Sequence, residues 1–316
     1  MRRAFYLIPL ALLAALPFLR PLYEPRPPDP DLVRAIYGTP LPPPEGPMRI
    51  FHLGHSLVGR DMPAMLAQLA GEGHRYESQL GRGTSLNEHW LGREAINGFD
   101  AENAHDRYRD AKEAIGSGDY DAVVLTEMVE IRDAIRYHDS GDALHNWADL
   151  ARQSGPDTRI YLYESWHRLD DDEGWLTRLD ADLDRYWLGK LMLPEITRSG
   201  TEQRPIYLIP AGQVMARFVR AVEAADGVGN VATRESLFAR DDAGDLDPIH
   251  VNDLGAYLVA LTHYAVLYQR SPVGLPIALM RADGTPAEAP DAAAARLMQE
   301  TVWQVVQEHG KTGVTP

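Results

Sequence analysis

Ser56 stands in the run Gly54-His55-Ser56-Leu57, and far down the chain Asp247 precedes His250 by three residues. A serine on a tight turn, with a glycine beside it and a helix starting behind it, has an exposed hydroxyl close to unpaired helix amides. Such amides can stabilise a developing oxyanion. Taken alone, the same serine is an ordinary helix N-cap. The Asp247-Pro248-Ile249-His250 spacing lets a turn bring a carboxylate to one imidazole nitrogen and leaves the other nitrogen to face a nucleophile. Taken alone, that pair is a capping loop with a solvated histidine. Combined, the three side chains are the set needed to activate a serine by general base catalysis.

Positioning them calls for a scaffold, and the chain alternates strand-like and helix-like patterns from Met48 onward. Apolar or β-branched runs occur at Arg49–Leu53, His74–Leu80, Asp121–Thr126, Arg159–Glu164 and Pro205–Pro210. Helical patterns lie between or after them, at Pro63–Ala70, Ala104–Ile115, Ala143–Arg152 and Gly174–Arg198, and a long helix runs from Asn252 or Asp253 to Tyr268. Five short buried strands with intervening helices predict one α/β domain, a three-layer sandwich around a mostly parallel five-stranded sheet with right-handed crossovers. Ligands bind such sheets at the carboxyl ends of the strands. Ser56 follows the first strand there, and Asp247 and His250 are expected on the loop before the long helix. A further amphipathic helix is expected over Ala289–His309.

These blocks resemble the SGNH/GDSL hydrolase superfamily. The Gly-His-Ser-Leu run stands where that family usually has Gly-Asp-Ser-Leu, with His55 in place of the Asp. Asp247-x-x-His250, followed by Asn252, Gly255 and Tyr257, matches its last block. The resemblance covers the body from about Met48 to Tyr268 and implies a flavodoxin-like fold and a Ser56-His250-Asp247 triad. It also implies an oxyanion hole built from the amide of Ser56, the amide of Gly83 (with Gly81 as the alternative) in the turn after the second strand, and a donor after the third strand. The family's Asn is missing from that last place, where the chain reads Thr126-Glu127-Met128. Thr126 can donate one hydrogen bond, whereas an ionised Glu127 cannot and is expected to bind substrate hydroxyls. His167 after the fourth strand and Gln213 after the fifth are expected to line the substrate pocket. The activity implied is ester hydrolysis, with an acylated carbohydrate or a small ester as substrate. The alternatives are an envelope O-acetyltransferase with the same triad and a non-catalytic carbohydrate-binding protein that keeps the fold.

Other chemistry has weaker footing. His52 and His55 flank the serine's turn, but strand alternation sends residues three apart to opposite faces, against a metal site. There is no phosphate-binding loop, and Gly81-x-Gly83 lacks the third glycine of a dinucleotide fingerprint. No cofactor and no metal are expected. With no cysteine in 316 residues, disulfides and thiolate chemistry are excluded. The formal net charge of −15 opposes nucleic acid as a partner, because duplex binding depends on phosphate neutralisation by Lys and Arg.

The amino terminus has a different composition. Arg2 and Arg3 precede an apolar run from Ala4 to Leu19, closed by Arg20, the pattern of a secretory signal peptide or an uncleaved signal anchor over residues 1–20. Ten of the 23 prolines then fall within residues 21–47, which predicts an extended linker with a short helix at Asp31–Tyr37. The catalytic domain is expected over residues 48–316, exported to the periplasm or beyond. Oligomeric state has no signal in the sequence.

Overall fold

The computed structural model describes residues 27–199 and 204–315, so the apolar run at residues 4–19 lies outside the described residues. Five parallel strands form the central sheet: β1 (Arg49–His55), β2 (Arg75–Gly81), β3 (Ala122–Thr126), β4 (Arg159–Glu164) and β5 (Ile206–Pro210). Their order is β2-β1-β3-β4-β5. The sheet carries helices on both faces, the three-layer α/β sandwich expected. One face packs β1, β3, β4 and β5 residues such as Ile50, Val124, Tyr161 and Ile209 against helices Asp61–Ala70, Ala211–Ala224, Asp253–Tyr268 and Ala292–Glu308. The other face packs Phe51, Leu53, Val123 and Leu162 against a second set around Ser140–Ser154. Alternate residues of each strand thus point into separate cores, and both faces must be apolar. This is why the strands read as continuous hydrophobic runs.

The register fixes the relative height of the strand ends. Gly54 pairs with Leu80, His55 with Gly81, and Leu53 with Leu125. The turns carrying Ser56, Gly83 and Glu127 therefore leave three adjacent strands at the same edge of the sheet.

Two elements differ from the pattern reading. The helix expected over Ala104–Ile115 starts only at Ala111, where the Asp110 carboxylate accepts from the Glu113 amide and caps it. The preceding residues run along the open edge of β2 instead. There Ser78 N donates to Arg107 O at 2.8 Å and Arg109 N donates to Ser78 O at 3.2 Å. An edge strand with unpaired amides draws such a segment toward it. Second, Asp247 and His250 lie on a strand, β7 (Leu246–Val251), antiparallel to β6 (Phe238–Arg240), rather than on a bare loop.

The described part of the Pro-rich segment lies against the body. It holds the helix Pro30–Tyr37, whose Asp29 cap accepts from the Asp31 amide at 2.8 Å. Tyr37 donates its hydroxyl to Ile206 O, the Leu41 amide donates to Gly313 O, and Arg159 donates to Pro42 O. These contacts sit at the amino ends of β4 and β5, opposite the edge that bears Ser56.

Candidate active site

β1 ends at His55, and the chain turns at once. Val58 N and Gly59 N both donate to His55 O, with Gly59 at φ +58, before the helix Asp61–Ala70 begins. Ser56 is the first residue of that turn. Gly54 must be glycine here, because a Cβ would lie 2.7 Å from the Thr126 Cβ and 2.9 Å from a Val58 methyl.

The turn is held from beneath by two buried histidines. The Leu57 amide donates to His55 Nδ1 at 3.3 Å, so the proton sits on Nε2, which donates to Glu127 O at 2.8 Å. His89 Nε2 donates to Gly54 O at 2.8 Å while its Nδ1 accepts from Gln79. Burial pushes both imidazoles down to about 4, which keeps them neutral and these tautomers in place. The His55 of the serine block is thus a strut under the turn that carries Ser56. From β4, Tyr163 donates its hydroxyl to Leu57 O at 3.2 Å.

The other half of the constellation is built on β7. Asp247 Oδ1 accepts from the amides of Ile249 (2.9 Å) and His250 (3.0 Å), folding the segment so that Oδ2 lies 2.7 Å from His250 Nδ1. Partial burial raises the Asp247 carboxyl, but the two amides and the imidazole outweigh this and hold it below its usual range. An ionised carboxylate only accepts, so His250 carries its proton on Nδ1. Nε2 is then free to accept from the Ser56 hydroxyl, 2.9 Å away. Two contacts from the loop after β4 fix this strand: Trp166 Nε1 donates to Ile249 O at 2.7 Å and Leu169 N donates to Pro248 O at 2.8 Å. Behind it, Asn252 caps the helix Asp253–Tyr268 by accepting from the amides of Leu254 and Gly255.

Ser56, His250 and Asp247 therefore come together from opposite ends of the chain in a connected hydrogen-bond relay. Gly83 lies in the turn after β2 at φ +56, with open space where a Cβ would stand. The Thr126 side chain is fully buried against Gly54, and its hydroxyl has no hydrogen-bond partner among the described residues.

Two residues expected to contact substrate, Glu127 and His167, are buried in the interior, and a third, Gln213, is partly buried. Glu127 is fully buried, and its Oε1 accepts from the Leu86 and Met128 amides, tying the turn that holds Gly83 to the end of β3. Burial raises its carboxyl to about 7. His167 is buried beside Asp182, whose Oδ2 also accepts from Arg178, and burial pushes the imidazole down to about 4. Gln213 donates its side-chain amide to Glu164 and to Leu179 O, and burial raises the Glu164 carboxyl to about 8. Sequence position at a strand's carboxyl end put these residues near the site but could not say which way they face.

A groove of about 1200 Å³ opens at Ser56 and runs along the helix Asp61–Ala70 toward Tyr76 on β2. Its walls are the segment around Glu102–Arg107 and the residues Arg281–Gly284. Neither wall is marked in the sequence by a motif. Among the described residues, no group of three or more His, Cys, Asp or Glu side chains is arranged to hold a metal ion.

No family model and no curated protein matches the chain. Solved structures do. A DUF4886 family protein from Bacteroides uniformis is 14% identical, with a TM-score of 0.52 over 85% of this chain and 97% of that one. A chain named as a GDSL-like lipase, from Parabacteroides merdae, is also 14% identical, with a TM-score of 0.44 over 71% of this chain and 96% of that one. At this identity the likeness concerns the fold alone.

Proposed function

We propose that the chain is a serine esterase that hydrolyses an acyl ester on a carbohydrate or other small alcohol. The observation that carries this reading is the unbroken relay from Ser56 Oγ to His250 Nε2 and from His250 Nδ1 to Asp247, at 2.9 and 2.7 Å. Those are hydrogen-bond distances, already within reach for proton transfer without substrate. A scaffold that only bound sugar would have no need of a tautomer-fixing carboxylate behind an imidazole that faces a serine.

In this reading Ser56 Oγ attacks the ester carbonyl while His250 Nε2 takes the hydroxyl proton. Asp247 holds the imidazolium, and the carbonyl oxygen becomes an oxyanion facing the amides of Ser56 and Gly83; the buried Thr126 hydroxyl does not reach it. Collapse breaks the bond to the alcohol, which leaves with the proton from His250, and the acyl group stays on Ser56. Water then attacks the acyl-enzyme with His250 as base, releasing the acid and regenerating the serine. The oxyanion donors supply the largest single stabilisation in such chemistry, about 10²–10³ in rate for each. Residues 1–20 direct export in this reading, and the catalytic body acts in the periplasm or outside the cell.

The test is turnover of p-nitrophenyl acetate and of an O-acetylated sugar by the full-length chain. Ser56→Ala is expected to abolish hydrolysis. Undiminished turnover in that variant sinks the reading, as does failure of Ser56 to take up a fluorophosphonate probe.

A further inference from the structure

Two neighbouring residues at the start of the nucleophile's helix reach in opposite directions. Arg60 donates from one guanidinium nitrogen to Ala101 O at 2.6 Å and Glu102 O at 3.0 Å, on one wall of the groove. The Asp61 carboxylate accepts from the Ala282 amide at 2.8 Å, on the other. That second wall is a hairpin in which Arg281 N donates to Thr285 O and Ala287 N donates to Leu279 O. It is strapped to the same helix two turns further on, where Gln68 exchanges two hydrogen bonds with Met280. It is also strapped to the helix behind His250, where Arg281 makes a two-pronged pair with Asp253. Arg60 and Asp61 are therefore the tethers of the two walls nearest Ser56, with Gln68 and Asp253 holding the hairpin further along.

The floor between these walls is made of small side chains. Ala64 and Ala67 lie on one face of the helix, and Asp61 to Ala67 spans about 9 Å at 1.5 Å per residue. The volume of about 1200 Å³ exceeds the ~300–1,000 Å³ usual for small-ligand pockets. The walls offer polar groups with capacity to spare. Arg60 bonds only carbonyls, and Arg107 lies over the Tyr76 ring at 5.0 Å; neither has a carboxylate partner among the described residues. Asp61 and Asp283 supply acceptors. An aliphatic chain laid here would desolvate these groups without replacing their hydrogen bonds. Guanidiniums and carboxylates are both represented, which suits a neutral ligand carrying many hydroxyls.

We infer that the groove along the helix Asp61–Ala70 is a subsite for the unreacted part of an elongated, neutral, polyhydroxylated substrate, an oligosaccharide rather than a monosaccharide or a long acyl chain, with Arg60 and Asp61 tethering its two walls nearest Ser56. This deepens the esterase reading, since the groove starts at Ser56, but the subsite can be tested by binding alone.

The test is calorimetric titration of the full-length Ser56→Ala protein with O-acetylated cellotetraose, O-acetylated glucose and p-nitrophenyl octanoate. The tetrasaccharide is expected to bind at least tenfold more tightly than the other two. Adding Asp61→Ala removes the hairpin's tether nearest Ser56, while Gln68 and Asp253 keep it against the body, and should bring tetrasaccharide and monosaccharide to within about threefold. Asp61→Asn keeps an oxygen to accept from Ala282 and should restore the preference. Ala64→Phe fills the floor without touching either clamp, and should also remove the tetrasaccharide advantage. Equal or absent binding of the tetrasaccharide, tighter binding of the octanoate, or an unchanged ratio in both Asp61→Ala and Ala64→Phe overturns the inference. Because none of these readouts needs hydrolysis, their failure is distinct from a failure of the esterase reading.

Discussion

Asp247→Asn separates the electrostatic role of Asp247 from its structural one. The carboxylate has two tasks: Oδ1 folds the segment by accepting from the amides of Ile249 and His250, and Oδ2 accepts from His250 Nδ1. Asparagine keeps the first task, because its carbonyl oxygen replaces Oδ1. Its NH₂ then occupies the Oδ2 position and points at Nδ1, so the imidazole must present a lone pair there and move its proton to Nε2. Nε2 now meets the Ser56 hydroxyl as a donor and cannot take its proton. Loss of the base in this way costs about 10⁴ in rate, or roughly 5 kcal/mol of transition-state stabilisation. Folding should suffer little, since both backbone amides remain bonded. The assay is kcat/KM for p-nitrophenyl acetate between pH 6 and 9, with the thermal midpoint measured on the same samples. A variant that keeps more than a tenth of wild-type activity would refute the tautomer argument. So would a midpoint falling as far as that of Asp247→Ala, which removes both tasks at once.

Further outcomes follow from the surrounding contacts. Trp166→Phe keeps the buried ring but strands the Ile249 carbonyl that the indole N–H serves at 2.7 Å, so stability should drop by about 1–3 kcal/mol. kcat should fall with it while KM for a short ester stays close to wild type; an unchanged kcat beside a lowered midpoint would show that the contact does not position His250. Gly54→Ala would drive a methyl into Thr126 and Val58, an overpacking of about 1–3 kcal/mol readable as a lower urea midpoint. Stability should also fall in acid. Five buried histidines (His52, His55, His89, His167 and His263) and the partly buried His74 are held neutral by desolvation, so below the unfolded value near 6.5 the unfolded chain takes up protons that the folded chain refuses. Each contributes a slope of about 1.4 kcal/mol per pH unit between 6.5 and its folded value. Glu127 and Glu164 act with the opposite sign: raised to about 7 and about 8, they favour the folded state at low pH and lose that advantage as pH rises through those values. Two carboxyls cannot offset six imidazoles below pH 6.5, so the urea midpoint should drop between pH 6.5 and 4.5 and His263→Phe should flatten that slope. Glu164→Gln should lessen the fall in stability between pH 6.5 and pH 9, where the imidazoles no longer contribute, and an unaltered fall would refute the burial argument for that carboxyl.

The fold was legible in the sequence because its cause is local. Strands buried on both faces must be apolar throughout, and the five runs that begin at Arg49, His74, Asp121, Arg159 and Pro205 leave that mark within one or two residues of the observed strands. The residues of the relay were legible too. A tight turn with Gly54 beside the serine and a three-residue spacing from Asp247 to His250 are properties of short segments.

Direction and depth were not legible, because neighbours from other parts of the chain decide them. Nothing in the sequence around Glu127, His167 or Gln213 tells a groove-facing side chain from one turned inward to serve a backbone amide or a buried carboxyl. The edge of β2 turned an expected helix into a flanking strand-like segment at Arg107–Arg109. The groove's walls come from residues 101–107 and 281–284, far apart in sequence and brought to Arg60 and Asp61 only by folding. The sequence by itself determined which side chains could do chemistry and the sheet they would stand on. Tertiary structure alone decided which of them meet, what holds the His250 strand in line, and how wide a groove lies beside Ser56, since each depends on hydrogen bonds between segments that no local pattern connects.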